Sequence, residues 1–504
     1  MKKYFFTYVV LFSTFCSLHA QEEQSSANNS DIPEASVSTS QQQVTIDGKS
    51  LQFDTEAGTF PLRDENNERI ANFGYTSYTL EGASSTRPIV FAFNGGPGSS
   101  SFWLHMGVLG PKRVVVNDPE FNAAAPYQVV NNEYSILDVA DLVMIDPVGT
   151  GLSVPVGEAE FKDFWGVDQD IRSIGLFIRQ YLIANRRMNS PKYLLGESYG
   201  TFRNAGLMKK LLDQGIALNG VIMVSAVFDL RTLLFPPNDD MPYVVHFPTY
   251  AATSWYHDKV ADKGESLEDF LDEVRAFTEE EYMPALFKGT NIPDSEKEAM
   301  AQQLADYTGI DADYWLKADL RVTASEYFAE LLRDEGKTVG RLDSRYSGIN
   351  QDLLGQYADY DPQSSAISPA YITGFLDYFH NELNVPTDLT YTTSAGGREG
   401  FAWDWKHQGN MAWGTIGAIN TGIDMAEAMS KDPNVEVLIL NGYYDLATVF
   451  YGVEHSIAHL GLAPEVRDNI IMKYYEAGHM MYTHEPSLVK FKEDVAAFIQ
   501  RTSE

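Results

Sequence analysis

The chain has 504 residues, 44% of them hydrophobic, enough to bury the core of one elaborated domain or of two to three ordinary ones. Its formal net charge of −33 repels nucleic-acid phosphates, so no nucleic-acid partner is expected, and reads as a solvated acidic surface. The single cysteine, Cys16, lies in a segment predicted to be removed, which excludes disulfides, thiol catalysis and cysteine-based metal sites in the mature chain.

Residues 1–20 place Lys2 and Lys3 before an apolar run from Tyr4 to Cys16 and then Leu18-His19-Ala20, the layout of a cleaved secretory signal. The run is shorter than the ~20 residues a membrane span needs, so an exported protein, periplasmic or extracellular and without a membrane span, is expected. Residues 21–42 are rich in Ser, Gln and Asn and read as a disordered polar tether. From Val44 to Leu80, short alternating runs broken by Gly, Asp and Asn predict antiparallel strands at the edge of a sheet.

Continuous apolar runs follow at Pro88–Phe93, Asp141–Ile145, Tyr193–Leu195 and Val221–Val224, each the pattern of a strand buried on both faces. Between them Phe164, Val167, Ile171, Ile174, Ile178 and Tyr181 recur at helical spacing. Strands alternating with helices predict an α/β fold with a mostly parallel central sheet, its first part spanning residues 43–230. Residues 231–400 show helical patterns without buried strands, including the face Leu267, Phe270, Leu271, Val274 and Phe277 and a capping box at Thr323-x-x-Glu326 whose helix ends at Gly336. This stretch is predicted to be a helical cap insertion. The core resumes over residues 401–504 with strands at Val435–Leu440 and Asn469–Tyr475 and a last helix from Pro486, with Leu488, Phe491, Val495 and Phe498 inward.

The chemistry centres on Gly196-Glu-Ser-Tyr-Gly200, where a predicted strand breaks into a helix and lifts the hydroxyl of Ser198 out of the sheet edge. A serine needs a base, and the base an acid to orient it. In parallel sheets such groups collect just after strands end. Asp445 follows one strand and His479 the next, in the order Ser, Asp, His of an α/β-hydrolase. Asp229, which also follows a strand, is the alternative acid. His246, His257, His380 and His407 read as structural, and His105 as a candidate for the cleft.

The sequence resembles the serine carboxypeptidase family from about Val44 onward. The matching motifs are Asn94-Gly-Gly-Pro-Gly-Ser-Ser100, Asp146-Pro-Val-Gly-Thr-Gly-Leu-Ser153, Gly196-Glu-Ser-Tyr-Gly200, Asn441-Gly-Tyr-Tyr-Asp445 and Ala477-Gly-His-Met480. The resemblance implies an α/β-hydrolase with a helical cap, peptide hydrolysis from the carboxyl end, a peptide or protein substrate, and no metal or organic cofactor. It makes Ser198 the nucleophile, His479 the base, Asp445 its partner, and the N–H groups of Gly96 and Tyr199 the oxyanion hole. It also implies that Asn94, Gly95 and Glu197 hold the substrate's terminal carboxylate. A second glutamate expected there is replaced by Val108 in Met106-Gly-Val-Leu-Gly-Pro111, and Tyr482 departs from the family pattern after His479.

Two like carboxylates at contact cannot both stay ionised, so Glu197 is expected to share a proton with a bound terminal carboxylate. Two of the eight residues Trp255, Tyr256, Trp315, Arg341, Arg345, Tyr371, Trp403 and Trp405 are expected to face the cleft, since aromatics at helical spacing are more often core. An esterase or acyltransferase on the same scaffold is the competing enzyme, which Val108 favours, and a catalytically inactive binding protein the competing non-enzyme.

Overall fold

The computed structural model describes residues 34–407 and 419–503, so the predicted signal and Cys16 lie outside the described residues. The sheet strands are β1 (Val37–Ile46), β2 (Lys49–Arg63), β3 (Arg69–Leu80), β4 (Ile89–Phe93), β5 (Asp141–Ile145), β6 (Lys192–Glu197), β7 (Gly220–Val224), β8 (Glu436–Gly442) and β9 (Ile470–Tyr475). They lie in the order β1-β2-β3-β5-β4-β6-β7-β8-β9, and a two-residue strand, Val154–Pro155, pairs with β3. β1, β2 and β3 run antiparallel and meet β5 antiparallel, while β5 through β9 are parallel throughout.

The predicted tether ends sooner than its composition suggests. Val37 to Gln42 already belong to β1, which pairs along its whole length with β2. Backbone hydrogen bonds order this polar stretch, with Gln42, Val44 and Ile46 turned inward and the residues between them in solvent.

Each parallel strand divides its side chains between two cores, as the period of two requires. Val90, Ala92, Leu142, Met144, Tyr193, Leu195, Ile222 and Val224 face one core. Ile89, Phe91, Phe93, Val143, Ile145, Leu194, Val221 and Met223 face the other. The second core is covered by α1 (Val167–Ala184), α2 (Tyr199–Asp213) and, later in the chain, a helix at Gly422–Lys431. The closing helix Glu485–Thr502 covers the first, with Leu488, Phe491, Val495 and Phe498 buried.

The insertion after β7 builds a third core. α3 (Met241–Tyr256), α4 (Leu267–Phe277) and α5 (Asp294–Thr308) enclose Tyr250, Leu271, Val274 and Trp315. The capping box closes on both sides at Thr323 and Glu326, but its helix stops at Glu330 and a 3-10 turn carries the chain to Gly336. A small antiparallel pair, Lys337–Val339 with Ser347–Ile349, adds strands that the periodicity had not indicated. α6 (Pro362–Asn381), predicted as cap, instead packs Ile367, Phe375, Tyr378 and Phe379 into the first sheet core beside Phe102 and Val114. Its apolar side finds a sheet-borne partner far away in sequence, which no local pattern reveals.

β4 sends its chain to β5 on one side and then, by way of α1, to β6 on the other. A crevice forms where the order reverses, outside the carboxyl ends of the parallel strands. Register places Phe93 beside Gly196 and Glu197 beside Val224 at that edge.

Candidate active site

β6 ends at Glu197 and α2 begins at Tyr199, so Ser198 takes the whole reversal, at φ 60° and ψ −129°. A side-chain-bearing residue at such a φ stores about 1–3 kcal/mol of strain. The Ser198 N–H donates to Val224 O at 3.0 Å and the Thr201 N–H to Ser198 O at 2.8 Å, which hold it there. A Cβ at Gly196 would lie 2.4 Å from Gly200 O, so only glycine lets the strand and helix meet this closely. Ser198 is half-buried and lines a cavity of about 860 Å³.

His479 follows β9 and lines the same cavity. Its Nδ1 contacts Asp445 Oδ2 at 2.7 Å, with His479 5% and Asp445 0% exposed. Asp445 follows β8. Its Oδ1 accepts the N–H groups of Ala447 and Thr448, at 2.8 and 2.9 Å, and its Oδ2 the Thr448 hydroxyl at 2.7 Å. Burial disfavours a charged imidazole, yet Asp445 outweighs it and holds the ring above its ordinary value, helped by Glu197 and opposed by Arg341. The backbone of His479 is fixed from two sides: its N–H donates to Leu342 O, and its O accepts the Ser225 hydroxyl at 2.6 Å. Ser198 and His479 are not hydrogen-bonded to each other. Asp229 binds the N–H of Arg231 and the Asn420 amide instead of a histidine.

The loop after β4 brings Asn94, Gly95 and Gly96 to the elbow. A Cβ at Gly95 would lie 2.4 Å from Tyr199 N, so the loop backbone rests against the first N–H of α2, one of those a helix leaves without an internal acceptor. Gly96 turns at φ 108°. The fully buried Arg203 pins the loop, donating to Asn94 O at 2.9 Å and to Asp170 at 2.6 Å. Asp146 holds the loop's far end, accepting from the N–H and hydroxyl of Ser101 at 2.8 Å each and from the Tyr391 hydroxyl at 3.0 Å.

The Asn94 amide donates to Glu197 Oε1 at 2.8 Å. Burial pushes the Glu197 carboxyl up to about 7, against the pull of His479, of the nearby Tyr482 hydroxyl and of the Asn94 amide. Val108 is fully buried in the apolar core and offers this region no polar group.

Of the expected cleft residues, Arg341 and Trp405 line the cavity. Trp315 fills the cap core, Tyr371 packs on Trp103 and Trp403 on Tyr199, while Arg345 is spent on Asp343 and Asp118. His105 lies outside the cleft, 1% exposed and bonded to the Tyr78 hydroxyl at 2.6 Å. His246, His257 and His380 contact backbone oxygens, and His407 bridges Asp168 and Asp424. Val227, Leu230, Leu233, Leu234 and Ile419 form an apolar wall that the motifs did not reveal. Among the described residues no cluster of His, Cys, Asp or Glu could hold a metal ion, and no helix is long and apolar enough to cross a membrane.

This sheet order, with a serine elbow and an Asp–His pair after later strands, defines an α/β-hydrolase. The sequence profile of the serine carboxypeptidases matches residues 46–485, and the chain belongs to that family. A curated relative, serine carboxypeptidase-like 33 of Arabidopsis thaliana, is 27% identical over 224 residues, 42% of this chain and 41% of that one. The match thus spans about two fifths of that relative's length. The fold is similar to that of KEX1(delta)p, a prohormone-processing carboxypeptidase of Saccharomyces cerevisiae. That likeness has a TM-score of 0.54 at 15% identity and covers 89% of this chain and 91% of the other.

Proposed function

We propose that the protein is an exported serine carboxypeptidase that hydrolyses peptide bonds at the carboxyl end. The 2.7 Å contact between His479 and Asp445, in a cavity that also holds Ser198 on its strained elbow, carries this reading. Asp445 fixes the tautomer with the proton on Nδ1 and leaves Nε2 as the base. Ser198 Oγ attacks the carbonyl carbon as its proton passes to Nε2. The N–H groups of Gly96 and Tyr199 stabilise the oxyanion, each by roughly 3–4 kcal/mol as judged from deleting such a donor. His479 then gives the proton to the leaving amine, and water, deprotonated by the same nitrogen, releases the acyl group. Asn94, Gly95 and Glu197 hold the terminal carboxylate, with Glu197 protonated, as its raised value supports.

The test is mass spectrometry of a peptide library digested by the wild type and by Ser198→Ala. Sequential loss of carboxyl-terminal residues, absent in the variant, is expected, and internal cuts would overturn the proposal. Labelling of Ser198 by an organophosphonate separates it from a catalytically inactive binding protein. An esterase or acyltransferase is the second reading, favoured by the apolar Val108, and turnover of acyl esters with no action on free-carboxylate peptides would support it.

A further inference from the structure

Two polar atoms beside the cleft are buried without a partner: Glu197 Oε2 and Tyr482 Oη. The two groups lie close enough to act on each other's protonation. Tyr482 sits in the turn Met481–Thr483 after His479, 2% exposed, and burial, Glu197 and Tyr371 all hold its phenol protonated. One edge of its ring packs against Gly107, where an added Cβ would come within 2.3 Å of a ring carbon. Asn94 lies beside the same hydroxyl and already donates to Glu197 Oε1.

A buried hydroxyl without a partner costs about 1–3 kcal/mol, and phenylalanine would fill this space without that cost. The hydroxyl therefore acts on its neighbour. The turn carrying Val108 supplies no second polar side chain, so Tyr482 is the group poised to engage the free oxygen of Glu197. We propose that Tyr482 is the positioning residue of the carboxylate-binding end. Its O–H donates to Glu197 Oε2 when a peptide binds, while Asn94 holds Oε1, so that Glu197 presents its proton to the substrate's terminal carboxylate.

This inference rests on the carboxypeptidase reading. His479 and Asp445 from the loops after β9 and β8, Tyr371 from α6 and Asn94 from the loop after β4 also surround the Glu197 carboxyl. Of these, Asn94 is hydrogen-bonded to it and favours its charged form, as the nearby Tyr482 hydroxyl also does.

The test compares one peptide with a free carboxyl terminus and the same peptide amidated, on a single preparation of each protein. Tyr482→Phe keeps the ring against Gly107. It should raise KM for the free peptide about tenfold, the loss of one hydrogen bond to the carboxyl pair that shares one proton and one negative charge, with kcat and the amidated rate within about twofold of wild type. Removing a donor that favours the ionised carboxyl should also shift the alkaline limb for the free peptide to higher pH. Equal losses on both peptides, or an unchanged ratio with an unmoved limb, would overturn the proposal. Should the variant fail to fold, Gly107→Ala displaces the ring and must reproduce the selective loss. A wild type that cleaves neither peptide sinks the carboxypeptidase reading itself, whereas cleavage of both with an unaltered ratio in the variant sinks this inference alone.

Discussion

The backbone N–H of Gly478 donates to the Asp343 carboxylate at 2.9 Å, tying the cap to the loop that carries His479. Asp343 is fully buried and paired with Arg345, which also grips Asp118. A Cβ at Gly478 would lie 2.4 Å from the Asp343 side chain, so the two segments touch with no room between them.

Breaking that pair leaves a buried guanidinium without one of its two acids. Asp343→Ala is expected to lose about 3–5 kcal/mol of stability, measured by urea unfolding. Because the His479 loop loses its anchor, kcat should fall in the material that still folds. A loss below about 1 kcal/mol would place the network among surface contacts of little weight.

Gly95→Ala probes the proposed oxyanion loop directly. Its methyl would fall 2.4 Å from Tyr199 N, forcing loop and elbow apart. Misplacing one oxyanion donor should lower kcat about 10²- to 10³-fold with little change in KM, as steady-state kinetics would report. An unaffected kcat would show that the oxyanion binds elsewhere.

Glu197 is held up to about 7 from 4.5, chiefly by burial. Below that pH it is neutral and can share its proton with a carboxylate; above it, charge repels charge. Activity on free-carboxylate peptides should decline as pH rises past about 7, while activity on esters or amidated peptides should not. Stability moves the same way, since the unfolded chain releases this proton from 4.5 upward while the folded chain keeps it to about 7. Glu197→Gln should remove both the alkaline decline and this part of the stability loss, and parallel pH profiles for the two substrates in the wild type would refute the role.

His407 bridges Asp168 and Asp424, beside the cleft residues Asp404, Trp405 and Lys406. Burial opposes its charge, but the two carboxylates prevail and push it up to about 9 from 6.5. A raised histidine stabilises fully below 6.5 and loses that contribution as pH climbs through 9. His407→Ala should flatten the fall in melting temperature across this window. The same dependence in wild type and variant would assign the fall to other groups.

The parallel strands were legible because burial on both faces leaves no polar residue in runs such as Ile89–Phe93 and 142–145. β1 was not, since an edge strand needs only alternate apolar residues and its hydrogen bonds do not appear in composition. Asp445 and His479 could be found by their places after strands, and the structure brings them together. Their supports could not be found so easily. Thr448 stands in a local Asp-x-x-Thr pattern that was there to be read, but Ser225 and Asp343 reach their partners across segments far apart in sequence. Arg345 misled for the same reason: its acids, Asp118 and Asp343, come from different loops and leave no linear trace.

The order of the strands along the chain also governs when activity can begin. A nascent polypeptide offers Ser198 on its elbow early, but β8 and β9, which deliver Asp445 and His479, leave the ribosome last. On the proposed triad the serine would lack its base throughout synthesis, and the unfinished chain would be inert toward its host until the final strands close the sheet.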